Sequence, residues 1–287
     1  MTLQIDLHTH SSASDGTDAP AQVLAVADRA GLDVVALTDH DTVAGWAEAA
    51  EAADRIGIGL VRGIEISCER DARSIHLLGY LTRPDDPDLM HELRLARESR
   101  LTRMDRIVDL LAADGIPITI EEVRAQVAEG ATVGRPHLAD ALVASGVVED
   151  RAEAFTRFLH NDSRYYVRYY APDPVRAVEL VVAAGGAAVI AHPYTARQSG
   201  AVTPELIEDM AAAGMIGIEV DHRDHDETDR RELRDLAAAL GLVVTGSSDY
   251  HGSGKPNLIG EHRTEPAALE AIVAACSGTA YIPPAGR

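Results

Sequence analysis

Gln4-Ile5-Asp6-Leu7-His8-Thr9-His10 is a short apolar run that closes on two histidines one residue apart. Gln4–His8 predicts a β-strand, and the two-residue period of a strand points both imidazoles to one side. Reading on, Pro20–Ala30 predicts a helix stopped by Gly31, Asp33–Leu37 a second strand and Thr42–Ile56 a second helix. Leu60–Ile66 and Ile75–Leu78 predict the third and fourth strands. Far downstream the alternation resumes. Helix Val175–Ala184 leads to strand Ala187–Ala191, helix Pro204–Ala213 to strand Met215–Val220, and helix Glu227–Leu240 to strand Leu242–Thr245. Helix Pro266–Ala275 follows, with Thr279–Ile282 as a last strand. Repeated strand–helix units predict parallel strands with right-handed crossovers, and about seven of them fit a closed, TIM-like barrel better than an open sheet.

Between the two halves the pattern changes. Arg83-Pro84-Asp85-Asp86-Pro87 is a breaker cluster, and from Leu89 to Phe158 only helical periodicity is visible. Over Leu89–Ala113 the apolar positions are Leu93, Ala96, Leu101, Met104, Ile107, Val108 and Leu111. Pro172 and Pro174 close the region. The chain therefore reads as a barrel built from residues 1–82 and 172–287, with a small helical domain inserted at 83–171. A length of 287 residues suits one large domain with such an insert.

Composition narrows the function classes. Hydrophobic residues at 46% and charged residues at 25% are ordinary for a globular chain and argue against disorder. No apolar run approaches the roughly 20 residues of a membrane span. Met1–Asp6 lacks the basic region of a signal peptide. With two cysteines only, Cys68 and Cys276, the expected setting is a reducing cytoplasm. The net charge of −20 excludes broad electrostatic binding of long nucleic acid. An anionic substrate then needs a local reversal of the field, which bound metal ions provide.

In a barrel of this kind the chemistry sits at the C-terminal ends of the strands. There the sequence places His8-Thr9-His10 with Asp15 just beyond, Thr38-Asp39-His40-Asp41, Gly63-Ile64-Glu65-Ile66, His76, Ala191-His192-Pro193 and Ser248-Asp249-Tyr250-His251. Singly, each has a plain structural reading: Asp39 or Asp41 as a helix cap, Glu65 as a buried partner of an arginine, His192 as a core histidine. Together they are a set of imidazoles and carboxylates without a thiolate, the donors that Mn²⁺, Fe²⁺ and Zn²⁺ accept.

The set His8, His10, Asp15, His40, Glu65, His76, His192, Asp249 and His251 resembles the ligand set of the PHP family, the polymerase and histidinol phosphatase domain. The resemblance covers the two barrel segments and implies a distorted (β/α)7 barrel. It also implies a metal-dependent phosphoesterase with two to three divalent ions. One ion would take His8, His10, Glu65 and Asp249, a second Glu65, His76 and His192 with Glu65 bridging, and a third Asp15, His40 and His251. Gly134-Arg135-Pro136-His137 resembles a motif in the helical insert of small PHP nucleotide phosphatases. That implies a lid for substrate recognition, and nucleotide phosphomonoesters as substrates: nucleoside 3′,5′-bisphosphate, AMP or short 5′-phosphorylated oligoribonucleotides.

The chemistry suits these residues. Clustered divalent ions offset the charge of a phosphomonoester and bring the pKa of a bound water toward ~7, supplying hydroxide. Arginine forks match the remaining phosphate oxygens. Arg135 is the leading phosphate-binding and catalytic candidate. His137 is expected to touch the phosphate or protonate the leaving group, and Arg164 is a further phosphate candidate. Asp39 and Asp41 read as caps or partners of ligands, His222 and His225 as residues of a solvated loop on the substrate side with contact of one of them to substrate as the alternative, and Tyr194 as packing or a base-stacking ring. Histidinol phosphatase shares the barrel but is disfavoured by the insert. An amidohydrolase would use a carboxylated lysine, and the only lysine, Lys255, is misplaced for one. A catalytically silent module would lack ligands, and here none is missing.

Overall fold

The computed structural model of the chain describes residues 2–195 and 200–286. Seven strands form one sheet in chain order: β1 (Ile5–Asp6), β2 (Val34–Leu37), β3 (Gly59–Arg70), β4 (Arg73–Tyr80), β5 (Ala187–Ile190), β6 (Gly217–Asp221) and β7 (Val243–Gly246). β1, β2 and β3 run parallel, as do β5, β6 and β7. The helices between them start and stop on local signals. α1 (Pro20–Arg29) begins on a proline at its first position, and α2 (Trp46–Ile56) ends on Gly57 at φ 83°, a conformation that costs glycine little.

β4 departs from the parallel expectation. It is antiparallel to both β3 and β5. Only Asp71 and Ala72 separate it from β3, both at positive φ, so the pair forms a two-residue hairpin. A parallel crossover needs a dozen residues or more. The hairpin also extends β3 beyond Glu65, which lies mid-strand rather than at a strand end, and sets Ser67 opposite His76. Thr279–Ile282 makes no strand; Ile282 contributes a single bridge to Leu60.

The barrel closes where β7 returns to β1. Thr9 bridges Tyr250, and the His10 N–H donates to the Tyr250 carbonyl at 2.8 Å. Asp6 straps the seam, accepting the Ser248 hydroxyl at 2.6 Å and the Gly260 N–H at 2.8 Å. It is fully buried, and burial pushes its pKa up to about 6 against those donors. Ile5, Leu7, Val61, Leu78 and Val189 fill the interior, with the Tyr80 hydroxyl donating to the Leu7 carbonyl.

Residues between β4 and α7 (Pro174–Ala183) form the helical insert: α3 (Pro87–Ala113), α4 (Ile120–Arg124), α5 (Arg135–Ala144), α6 (Arg151–Ala154) and a π-helical turn, Phe155–Leu159. Its own core gathers Met104, Ile107, Leu111, Leu138, Leu142 and Phe158. α3 starts on Asp86, whose carboxylate accepts the Leu89 N–H. Leu101, expected in its apolar stripe, is 54% exposed, while Arg100 and Arg103 are buried. The outer helices α8 (Pro204–Ala212), α9 (Glu227–Leu240) and α10 (Pro266–Ala275) complete the shell. No helix among the described residues is long and apolar enough to cross a membrane.

Candidate metal centre

Glu65, 1% exposed, stands at the centre of the histidine cluster. Its Oε2 lies 3.2 Å from His8 Nε2, 3.0 Å from His10 Nε2 and 3.3 Å from His40 Nδ1. Its Oε1 lies 2.6 Å from His76 Nδ1 and 3.1 Å from His192 Nε2. Asp249 Oδ1 closes one group, 3.6 Å from His8 Nε2 and 3.4 Å from His10 Nε2. Asp15 joins another, its Oδ1 3.3 Å from His251 Nε2 and its Oδ2 3.8 Å from His40 Nε2. All nine residues singled out from the sequence meet at this end of the barrel. His192 and Asp249 sit there at φ 29° and 53°, backbone strain of the kind that gathers at functional sites.

Neighbouring groups orient the rings. Glu219, fully buried on β6, accepts from His8 Nδ1 at 3.0 Å and from the His192 N–H at 2.8 Å, so the His8 Nε2 faces the cluster. His251 Nδ1 donates to the Asp249 carbonyl at 2.8 Å, which turns its Nε2 toward Asp15. Burial holds His192 and His251 down to about 4, with Lys255 adding to the effect at His251. Burial would also lower His10, but Asp249 and Glu65 outweigh it and push that ring up to about 9. His8 is likewise raised, by Glu219 and Glu65 against burial. Glu65, Asp15 and Asp249 lie well below the usual carboxylate range. Burial opposes their ionisation, and the surrounding histidines, with Lys255 at Asp249, overcome it.

This donor set fits divalent cations on two independent grounds. Buried His40 Nδ1, His76 Nδ1 and His251 Nε2 have no hydrogen-bond partner among the described residues, although each faces a carboxylate. And the separations of His8 Nε2 and His10 Nε2 from each other and from Glu65 Oε2 and Asp249 Oδ1 run from 3.0 to 3.6 Å. A tetrahedral site with bonds of about 2.0–2.1 Å has edges of about 3.3–3.4 Å.

A cavity of about 330 Å³ opens above the cluster. Arg135, at the first position of α5, lines it, its Nη1 donating to the Leu159 carbonyl at 2.6 Å and to Asn161 Oδ1 at 2.9 Å. His137 does not line it. Its Nδ1 accepts the Gly134 N–H at 3.0 Å, which closes the N-terminus of α5, and the ring is buried. Arg164 is also elsewhere, 74% exposed and paired with Asp114 at 3.1 Å. Tyr194 is not a lining residue either; its N–H donates to His225 Nε2. Asp39 ties the loop after β1 by accepting from Ser11 and Ser14, and Asp41 binds Ser67 and Arg100.

The expectation of a solvated loop at His222 and His225 does not hold. Both are buried. His225 is a structural pin, its Nδ1 donating to the Val220 carbonyl at 2.8 Å. His222 lines the cavity. Its Nδ1 accepts the Asp224 N–H, so its Nε2 carries the proton; that atom has no hydrogen-bond partner among the described residues and lies 3.7 Å from Asp249 Oδ2. Lys255 also reaches the site, its Nζ 2.6 Å from Asp249 Oδ2. Glu219 was missed in the sequence, although a carboxylate between Ile218 and Val220 in a buried strand is a signal in itself.

Residues 6–123 match the model of the PHP domain. A 5′-3′ exoribonuclease of Haemophilus influenzae is 36% identical over 251 residues, 88% of this chain and 91% of that protein. A 3′,5′-nucleoside bisphosphate phosphatase of Chromobacterium violaceum is also 36% identical over 251 residues, 88% of each chain. Among solved structures, a Bifidobacterium adolescentis protein assigned as a metal-dependent phosphoesterase matches with a TM-score of 0.92 at 39% identity, over 96% of this chain and 97% of that one. The chain belongs to the PHP domain family. It is a metal-dependent hydrolase of phosphoric esters.

Proposed function

We propose that the enzyme hydrolyses nucleotide phosphomonoesters, with nucleoside 3′,5′-bisphosphate as the first substrate and AMP or short 5′-phosphorylated oligoribonucleotides next. One observation carries this reading: a single small cavity has the His and carboxylate cluster as its floor and Arg135, Arg223 and Lys255 on its walls. The names of the two relatives, an exoribonuclease and a bisphosphate phosphatase, support nucleotides. The net charge of −20 suits small substrates or chain ends. Two free cysteines fit work in a reducing cytoplasm.

His8, His10, Glu65 and Asp249 would hold one ion. Glu65, His76 and His192 would hold a second, and Asp15, His40 and His251 a third, with Mn²⁺, Fe²⁺ or Zn²⁺ matching the donors. Such ions, when bound, supply Lewis-acid charge to phosphoryl oxygens and acidify water for in-line attack. The protein's own groups hold the ester in place. Arg135, anchored on Leu159 and Asn161, presents a planar cation to the phosphate. His137 acts through Arg135 by fixing the start of α5. His222 donates its Nε2 proton in a hydrogen bond to a phosphoryl oxygen beside Asp249. Glu219 keeps His8 and His192 aimed at the centre.

The test is release of inorganic phosphate from adenosine 3′,5′-bisphosphate with Mn²⁺, using the His192→Ala protein as control. Release by the wild type alone is expected. No release from protein that holds metal refutes the nucleotide reading and turns attention to histidinol phosphate and other small esters.

A further inference from the structure

The walls of the cavity are of two kinds. The barrel contributes its ionic floor together with His222, Arg223 and Lys255. The insert contributes an apolar corner: Pro136, Ala152 and Phe155, with Arg135 beside them. Phe155 is one of only two phenylalanines in the chain, and it is the first residue of the π-helical turn. The other, Phe158, is buried in the core of the insert, as is Leu159. Phe155 packs in part against that same core. The π turn carries an additional residue, a rare irregularity that occurs frequently at functional sites. Phe155 is half-buried and faces the cavity. The Arg135 guanidinium lies 5.7 Å from its ring centroid, within cation–π range. That contact steadies the ring and the cation against each other at the boundary between the apolar corner and the ionic floor.

A ligand that satisfies both ends has a compact anion at one end and a flat apolar face at the other. We propose that Phe155 is the platform on which a nucleobase stacks while the phosphate lies on the cluster below. The assignment rests on the phosphoesterase reading of the same site and names what selects its substrate. It also explains why Tyr194, the other aromatic candidate near the centre, is not needed: its backbone is engaged by His225 and its ring is not on the cavity wall.

The test compares AMP with ribose 5-phosphate, the same ester without a base, in the Mn²⁺-loaded enzyme. The wild type is expected to favour AMP in kcat/KM. Phe155→Ala is expected to lower that preference about 5- to 150-fold, the range that base–aromatic stacking carries. The change should fall mainly in the KM for AMP, and Phe155→Trp should restore it. The tryptophan protein gives a reading independent of turnover, since AMP should quench the new indole and ribose 5-phosphate should not. Equal turnover of the two esters by the wild type overturns the stacking role while leaving the phosphoesterase intact. So does a Phe155→Ala protein that keeps the preference. A metal-loaded wild type that releases no phosphate from AMP, ribose 5-phosphate or adenosine 3′,5′-bisphosphate refutes the underlying reading itself.

Discussion

Arg100→Ala should cost the protein more stability than any exposed substitution on the insert. Arg100 sits mid-way along α3 and is 8% exposed. Its Nε donates to Asp41 Oδ2 at 3.0 Å, its Nη2 to the Ser67 hydroxyl at 2.5 Å, and its guanidinium stacks 5.1 Å from the Tyr169 ring centroid. Asp41 is fully buried, follows His40 directly, and is held at φ 54°. Truncation leaves that carboxylate with the Ser67 N–H and hydroxyl alone, in a position where water reaches it poorly. Removing one partner of a buried ion pair costs about 3–5 kcal/mol. At about 2–4 °C per kcal/mol for chains somewhat shorter than this one, the melting temperature should fall by roughly 6–20 °C. Arg100→Lys keeps a cation but loses the fork and the ring stacking, so it should fall between. The assay is thermal unfolding of the three proteins side by side, with metal content measured on each. A fall of less than about 2 °C in the alanine protein, with metal content unchanged, would refute the claim that this pair ties the insert to the loop carrying His40.

Three further outcomes follow from the same geometry. Glu219→Gln should weaken metal affinity about 10–100-fold, because it loosens the group that aims His8 and His192; titration of the metal-free protein reads this, and unchanged affinity removes Glu219 from the site. Arg135→Ala should raise the KM for phosphomonoesters while metal content stays at the wild-type level; loss of metal would contradict its place on the wall. Metal uptake at pH 7 should release protons, since His10, at about 9, and the raised His8 are protonated in the metal-free protein and must give up that proton to bind. Apparent affinity then climbs with pH, about tenfold per unit for each proton displaced, until pH passes about 9. Calorimetry in buffers of different ionisation enthalpy measures the proton count, and a heat independent of buffer would show the rings neutral beforehand.

Much of the barrel was legible because its strands are short apolar runs bounded by glycine or polar clusters, and because six strands follow the simple strand–helix alternation. The direction of β4 could have been inferred too, since the eight residues between the expected strands Leu60–Ile66 and Ile75–Leu78 are too few for a parallel crossover, but periodicity alone does not register the length of a link. Most of the nine clustered residues could be read because they follow apolar runs near one end of the barrel, while Glu65 lies within β3, His76 opens the apolar run of β4 and Asp15 sits in the loop after β1. The groups that support them could not. Glu219 hides inside an apolar strand, and Arg100 occupies a position in α3 that a count of apolar residues assigns to its neighbour Leu101. Lys255 lies in a loop whose ends, Ser248 and Gly260, are held by Asp6, and His222 lies in the loop after β6. Their approach to Asp249 is set by tertiary closure, which local pattern does not carry.

The antiparallel β4 also explains why the insert stands where it does. A parallel fourth strand would deliver the chain to the cluster side. β4 starts there and ends at the opposite side, where Arg83 binds the Ala183 carbonyl and Gly186 packs against Tyr80. From Pro87 to Arg100, α3 climbs about 20 Å at 1.5 Å per residue, which brings Arg100 level with Asp41 and Ser67. The remaining helices then fold above the cluster, and the chain rejoins the barrel at the top, where the Glu69 N–H donates to the Pro172 carbonyl. Thr132 is pinned to Ala13 of the loop after β1, two residues before the turn that carries Arg135. The hairpin at Asp71 and Ala72 and the length of α3 thus act together: one takes the chain away from the centre, and the other returns it with Arg135 and Phe155 above the ions' ligands. Shortening α3 by one turn would lower that wall by about 5 Å and separate Arg100 from Asp41. Its expected result is loss of phosphate recognition together with the stability that the pair provides.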